Sequence, residues 1–206
     1  MNGLLAKKLG MTQIFTDQGE CVPVTVLEAG PCVVIRHKTV ENDGYAAVQI
    51  GFGLKKESRL NKAELGQFQK AGVSAREHVC EIQENDVAAW PVGKEFGAAE
   101  IFADAKIVNV SGVSKGHGFS GVIKRHNFTS GPRSHGTHNI REPGSQSAHT
   151  FPGRVLPGKR LAGQFGNKKV TVKNLAIVKV DGERNLIYVK GAVPGPKNGI
   201  IVVRKG

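Results

Sequence analysis

Between Asp104 and Asp181 the chain carries a single carboxylate, Glu142. A solvated surface normally mixes both signs. Removing acids over so long a stretch suits a face that lies against phosphates, because each carboxylate there would repel the nucleic-acid backbone. Long apolar runs are also missing. Ile200 to Val203 is among the longest, far below the roughly 20 residues that a membrane-spanning helix needs. Lys7 and Lys8 interrupt Met1 to Phe15 before the apolar core of a signal peptide can form, so a cytoplasmic protein without an export leader is expected. No basic amphipathic helix stands out, which disfavours a membrane surface as partner. The cysteines are few: Cys21, Cys32 and Cys80, an odd number with no C-x-x-C pair. That excludes a disulfide framework and a zinc ribbon. Reduced and mostly buried thiols are the expectation.

What is present is positive charge. The 206 residues carry a formal charge of +12, which calls for a polyanionic partner. The charge is concentrated. From Ser111 to Val170 stand Lys115, Lys124, Arg125, Arg133, Arg141, Arg154, Lys159, Arg160, Lys168 and Lys169, against Glu142 alone. Five of the seven histidines lie there too: His117, His126, His135, His138 and His149. The stretch is rich in glycine and, between Lys124 and Pro152, poor in aliphatic residues. It cannot bury enough apolar area to order itself, so it should take its shape from its partner. Phe119, Phe128, Phe151 and the spaced Gly and Pro residues speak for a shaped backbone over a featureless basic tether.

The flanks read as β. Cys21 to Leu27, Cys32 to Arg36 and Tyr45 to Ile50 are short strand candidates, separated by the turn signals Glu28-Ala29-Gly30-Pro31 and Glu41-Asn42-Asp43-Gly44. Ile107 to Val113 leads into the basic stretch. After it come Val170 to Val172, Leu175 to Val180, Leu186 to Val189 and Ile200 to Arg204, with Asp181 to Asn185 as a hairpin turn. Many short strands predict a closed β-barrel. Leu60, Leu65, Phe68 and Ala71 predict a small helical insert over about 55–75. The expected division is a globular barrel of residues 1–113 with 165–206, and an excursion over 114–164.

Three constellations could carry other chemistry. Gly116-His117-Gly118-Phe119-Ser120-Gly121 matches G-x-G-x-x-G, with Glu142 at about the spacing of a ribose-binding acid. A dinucleotide site needs a following helix, and Thr129-Ser130-Gly131-Pro132 interrupts any helix early. His135 and His138 are spaced as metal ligands, yet no cysteine or paired carboxylate completes a set of four. Ser134-His135 is adjacent, but ten cations and one acid are poor ground for general acid–base work. The expectations are no catalytic group, no metal and no cofactor.

Several motifs, taken together, resemble one family. Gly10-Met11-Thr12-Gln13-Ile14-Phe15 is similar to the N-terminal signature of large ribosomal subunit protein three, bacterial type. Ser114-Lys115-Gly116-His117-Gly118-Phe119, followed by Lys124-Arg125-His126-Asn127-Phe128, resembles the family's central signature. Gly158 to Gly166 (GKRLAGQFG) and Val189 to Gly195 (VKGAVPG) match its C-terminal half. The resemblance implies a barrel of the translation-protein type with a long, irregular basic loop pushed into 23S-type rRNA. It implies that the loop approaches the peptidyl transferase centre, with its tip near Gln146 to Thr150, that the globular part sits near the 3′ end of that rRNA, and that binding occurs early in subunit assembly. His126 stands where relatives often have Trp. The family's methylated Gln falls on Ala148, which has no amide to modify.

The expected function is therefore structural: 23S-type rRNA binding, large-subunit assembly and support of the catalytic RNA, on the ribosome in the cytoplasm. Neighbouring large-subunit proteins would be further partners, with no membrane and no small-molecule substrate. The residues expected to contact rRNA are Lys7, Lys8, Lys115, His117, Lys124, Arg125, His126, Asn127, Arg133, His135, His138, Arg141, His149, Arg154, Lys159, Arg160, Lys168 and Lys169. The rivals are a general nucleic-acid chaperone and a nucleotide-dependent enzyme built on Gly116 to Gly121.

Overall fold

The computed structural model describes all 206 residues. In chain order the strands are β1 (Gly3–Phe15), β2 (Cys21–Glu28), β3 (Cys32–Lys38), β4 (Ala47–Leu54), β5 (Arg76–Gln83), β6 (Glu95–Phe96), β7 (Ile107–Val113), β8 (Gly118–Ser120), β9 (Gly163–Phe165), β10 (Lys169–Asp181), β11 (Leu186–Lys190) and β12 (Ile200–Lys205). The helices are short: α1 (Val40–Asp43), α2 (Lys62–Ala71), α3 (Ala98–Phe102) and α4 (Val122–His126). None is long and apolar enough to cross a membrane. The chain divides into two compact units, Met1–Ser114 with Lys169–Gly206, and Lys115–Lys168.

The first unit is built on a closed antiparallel barrel of order β1-β12-β7-β10-β11-β2. Period-two alternation makes its interior. In β7, Val108 and Val110 are buried while Asn109 and Ser111 are not, and β12 buries Ile201 and Val203 in the same way. Gly112 continues the inward row of β7. A Cβ there would stand 2.8 Å from Ile201 Cγ2, so the close approach of the two strands requires glycine.

Two long strands close the barrel by bending. β1 pairs with β12 through its first half and with β2 through its second, and the register shifts between Lys8 and Gly10. The Lys8 ammonium donates to the carbonyls of Val193 (2.9 Å) and Gly195 (3.0 Å). β10 unites the two strand candidates read at Val170 and Leu175. The shift between Val172 and Leu175 is a bulge, where Asn174 adopts a φ of 57° and its amide donates to Asn109 Oδ1 at 2.9 Å.

The barrel does not take every strand. β3 and β4 leave it for a second, four-stranded sheet of order β5-β4-β3-β6. Their uniform spacing along the chain gave no hint of this, because a strand's period-two pattern reports one buried face and not the sheet that owns it. One apolar core still serves both sheets: Leu4 and Val203 of the barrel belong to the same cluster as Val34, Ile50 and Ile82 of the second sheet, with Phe102 among them. The helical insert is a 3-10 turn at Glu57–Arg59 followed by α2, which Asn61 opens with a capping box to Glu64.

The thiols depart from the expectation. Cys32 is buried and Cys80 half-buried, but Cys21 is exposed. Cys21 begins β2 at the outer end of its hairpin with β1, opposite Phe15 and away from the core. All three are free. Burial pushes the Cys32 thiol up to about 12, so almost none is thiolate at neutral pH. A thiol reagent at pH 8 should label Cys21 first, Cys80 more slowly, and Cys32 only on unfolding. Equal labelling of Cys21 and Cys32 in the folded protein, read by peptide mass mapping, would contradict this packing.

Candidate nucleic-acid interface

The second unit, Lys115–Lys168, begins with a small clasp. β8 and β9 pair antiparallel, with Gly118 opposite Phe165, Phe119 opposite Gln164 and Ser120 opposite Gly163. This pairing places Gly163–Phe165 in the second unit, which runs to Lys168. The His117 amide donates to the Phe165 carbonyl at 2.9 Å, and the two rings stack with centroids 5.0 Å apart. Gly166 holds a φ of +70°, and a Cβ on it would run into the Lys115 carbonyl oxygen. Glycine is thus required where the two ends of the excursion cross.

The glycines of the G-x-G-x-x-G match have a structural use here. Gly118 lies inside β8, and Gly121 caps the single turn of α4. The sequence pattern gave no helix after these glycines, and a short one is present. Val122 is its buried anchor, and Asn127 ends it with a left-handed φ of 58°. One turn is not the long helix that carries a dinucleotide pyrophosphate.

Two of the residues expected to meet rRNA fasten the excursion to itself. Arg125 Nη1 donates to the Leu161 carbonyl at 2.6 Å, and His126 Nε2 lies 3.1 Å from the same oxygen. The His126 ring also meets Phe128, with centroids 6.2 Å apart. Farther out, the Gly131 amide donates to the Ile140 carbonyl at 2.9 Å. That bond closes a small loop holding Arg133, His135 and His138. No helix or strand forms between Asn127 and Ala162, and no residue is buried between Ile123 and Lys168. His135 and His149 hold positive φ values of 61° and 111°. For a residue with a Cβ this costs about 1–2 kcal/mol.

The charges face outward. Lys115, His117, Lys124, Asn127, Arg133, His135, His138, Arg141, His149, Arg154, Lys159, Arg160 and Lys168 are exposed, while Arg125 and His126 are half-buried. Lys7, Lys8 and Lys169 belong to the first unit: the first two half-buried on β1, Lys169 exposed at the start of β10. The chain's acids lie elsewhere. Eleven of the seventeen fall within Val40–Asp104, where several are paired. Lys38 Nζ reaches Asp43 at 3.1 Å and Glu81 at 3.4 Å, and the Lys38 ammonium holds the Asp43 carboxyl below the usual carboxylate range. Tyr45 donates to Glu81 at 2.6 Å, which pushes its hydroxyl up.

In the sequence Phe119 and Phe151 count as signs of a shaped backbone and not as contact residues. The rings of Phe119 and Phe151 are 80% and 89% exposed.

A β-barrel unit joined to an irregular appendage that is cationic and almost free of acids defines a class, that of nucleic-acid-binding proteins. A family model described as Ribosomal protein L3 matches residues 48–185. Relatives named Large ribosomal subunit protein uL3 align over nearly the whole chain. The one from Pelotomaculum thermopropionicum is 52% identical, covering 98% of this chain and 96% of its own. Those from Syntrophotalea carbinolica and Finegoldia magna are 50% and 49% identical, covering 98% and 100% of this chain and 97% and 98% of theirs. The chain belongs to the ribosomal protein L3 family, a family of structural ribosomal proteins and not an enzyme class.

Proposed function

We propose that the protein is a structural component of the large ribosomal subunit that binds 23S-type rRNA directly, through the Lys115–Lys168 unit above all. The observation that carries this reading is the exposed array of cations in that unit, opposed by Glu142 alone, with Ser120 and Val122 the only buried residues. Such a surface gains little from folding by itself and much from neutralising phosphates, with release of their counterions. Lys115, Lys124, Arg133, Arg141, Arg154, Lys159, Arg160 and Lys168 take phosphates. His117, His135, His138, His149 and Asn127 offer hydrogen bonds to ribose and base edges. Lys7, Lys8 and Lys169 add phosphate contacts on the first unit, and Arg125 and His126 combine a contact with their bracing of Leu161.

The family resemblance adds the finer placement. The protein joins the subunit early in assembly, its excursion supports the RNA of the peptidyl transferase centre with the segment near Gln146–Thr150 foremost, and it contributes no catalytic group, metal or cofactor. Other large-subunit proteins are its neighbours. Crosslinking of purified subunits, with mapping of the RNA attached to peptides of residues 115–168, tests the proposal. Crosslinks concentrated in large-subunit rRNA near the catalytic centre are expected. Crosslinks scattered over unrelated RNA would favour a general nucleic-acid chaperone, and none at all would refute the placement.

A further inference from the structure

We propose that Phe119 and Gln164 form a stacking site for one unpaired nucleobase of rRNA. The proposal rests on the reading of Lys115–Lys168 as RNA-binding and adds to it a site of a different chemistry from phosphate neutralisation.

Phe119 and Gln164 are directly opposed on β8 and β9 and therefore share one face of the clasp. The opposite face holds Ser120, which is buried, and Phe165, which is half-buried. The alternation thus turns Phe119 fully outward. Its exposure follows from strand geometry and not from a frayed loop. The clasp is held by the His117–Phe165 stack, the His117 amide bond and the buried Val122 beyond it. A ring fixed in this way loses little freedom when a ligand covers it.

The surroundings select the ligand. The ring is 80% exposed, so its face is open to a flat partner. No carboxylate occurs from Ala105 to Arg141 or from Pro143 to Val180, so the chain on either side of the clasp sets no acid against the phosphates that flank a stacked base. Lys115 and Lys124, both exposed, lie close by in sequence. Every base has a π-face that a phenyl ring accepts, and the Gln164 amide offers a donor and an acceptor to its edge. A base within a continuous A-form helix presents no free face, so the ligand is unpaired. The buried centre of a protein interface would continue the ring into a wider apolar patch, and the adjacent glycine, glutamine and lysine residues supply none.

The test uses the full chain, large-subunit rRNA and a salt titration. Phe119→Ala should weaken binding by about 5- to 150-fold and leave the salt slope unchanged, because every cation that meets a phosphate is retained. Phe119→Leu should fail likewise, and Phe119→Tyr should restore affinity. The exposed ring leaves the fold unaffected in each variant, which a thermal melt verifies. Unchanged affinity in Phe119→Ala, or full rescue by Leu, overturns the stacking site. Retained rRNA affinity together with loss of incorporation into subunits also overturns it and assigns Phe119 to a protein contact. If the unaltered chain fails to bind rRNA, the reading of the appendage falls first, and this site with it.

Discussion

Replacing Lys124, Arg133 and Arg141 together with alanine should make the salt dependence of rRNA binding shallower by about three units on a log–log scale, one for each phosphate deprived of its cation. Over a fourfold rise in salt the wild type would then lose roughly 60-fold more affinity than the variant. The three side chains are exposed, and none is drawn into the fastening of the excursion. Arg125 is left intact because its guanidinium already holds the Leu161 carbonyl. Removing it would mix loosened structure with lost charge. Filter binding at several salt concentrations reads the slope, and a parallel curve for the variant would show that these cations do not face phosphates. The contrast with Phe119→Ala is diagnostic, since one change moves the slope and the other moves only the intercept.

Phe102→Ala should cost about 3–5 kcal/mol of stability. Phe102 is fully buried on α3, in the cluster that serves the barrel and the second sheet together. The cavity would open where two sheets share one core, and neither sheet can close it without moving the other. For a chain of this size the loss corresponds to a fall in melting temperature of roughly 6–20 °C. It is a large part of the 5–15 kcal/mol typical of a whole domain. A calorimetric scan decides, with Phe119→Ala as a surface control expected to stay within about 0.5 kcal/mol. A Phe102→Ala variant as stable as that control would mean that the two sheets do not depend on a common core.

The strand pattern of the barrel was readable where alternation met turn chemistry. Ile107 to Val113 coincides with β7, and the Asp181 to Asn185 turn between β10 and β11 is formed as expected, with the Arg184 amide on Asp181 Oδ1. β1 was not read as a strand. Its Gly3–Phe15 sequence mixes cations, glycine and aliphatics because it serves two partners across a bulge. β5 gives no strand signal either, since Arg76, Glu77, His78 and Glu81 interrupt its apolar positions; Arg76 is buried and pairs with Glu95 at 2.7 Å. Composition exposed the cationic, acid-poor stretch more fully than the fold, because charge segregation survives in a plain count of residues. Composition does not separate a cation facing outward from one that fastens the chain. Lys8, tied to Val193 and Gly195, and Arg125, tied to Leu161, are resolved only by geometry.

If the Lys115–Lys168 unit takes its final shape from the phosphates it meets, hydrogen–deuterium exchange of the protein, alone and bound to large-subunit rRNA, will show it. Free protein should show slow exchange in the barrel strands and exchange near the unprotected rate from about residue 129 to 160, where no helix or strand forms and no side chain is buried. Bound protein should show that segment protected. Strong protection of residues 129–160 in the absence of RNA, unchanged when rRNA is added, would contradict the account.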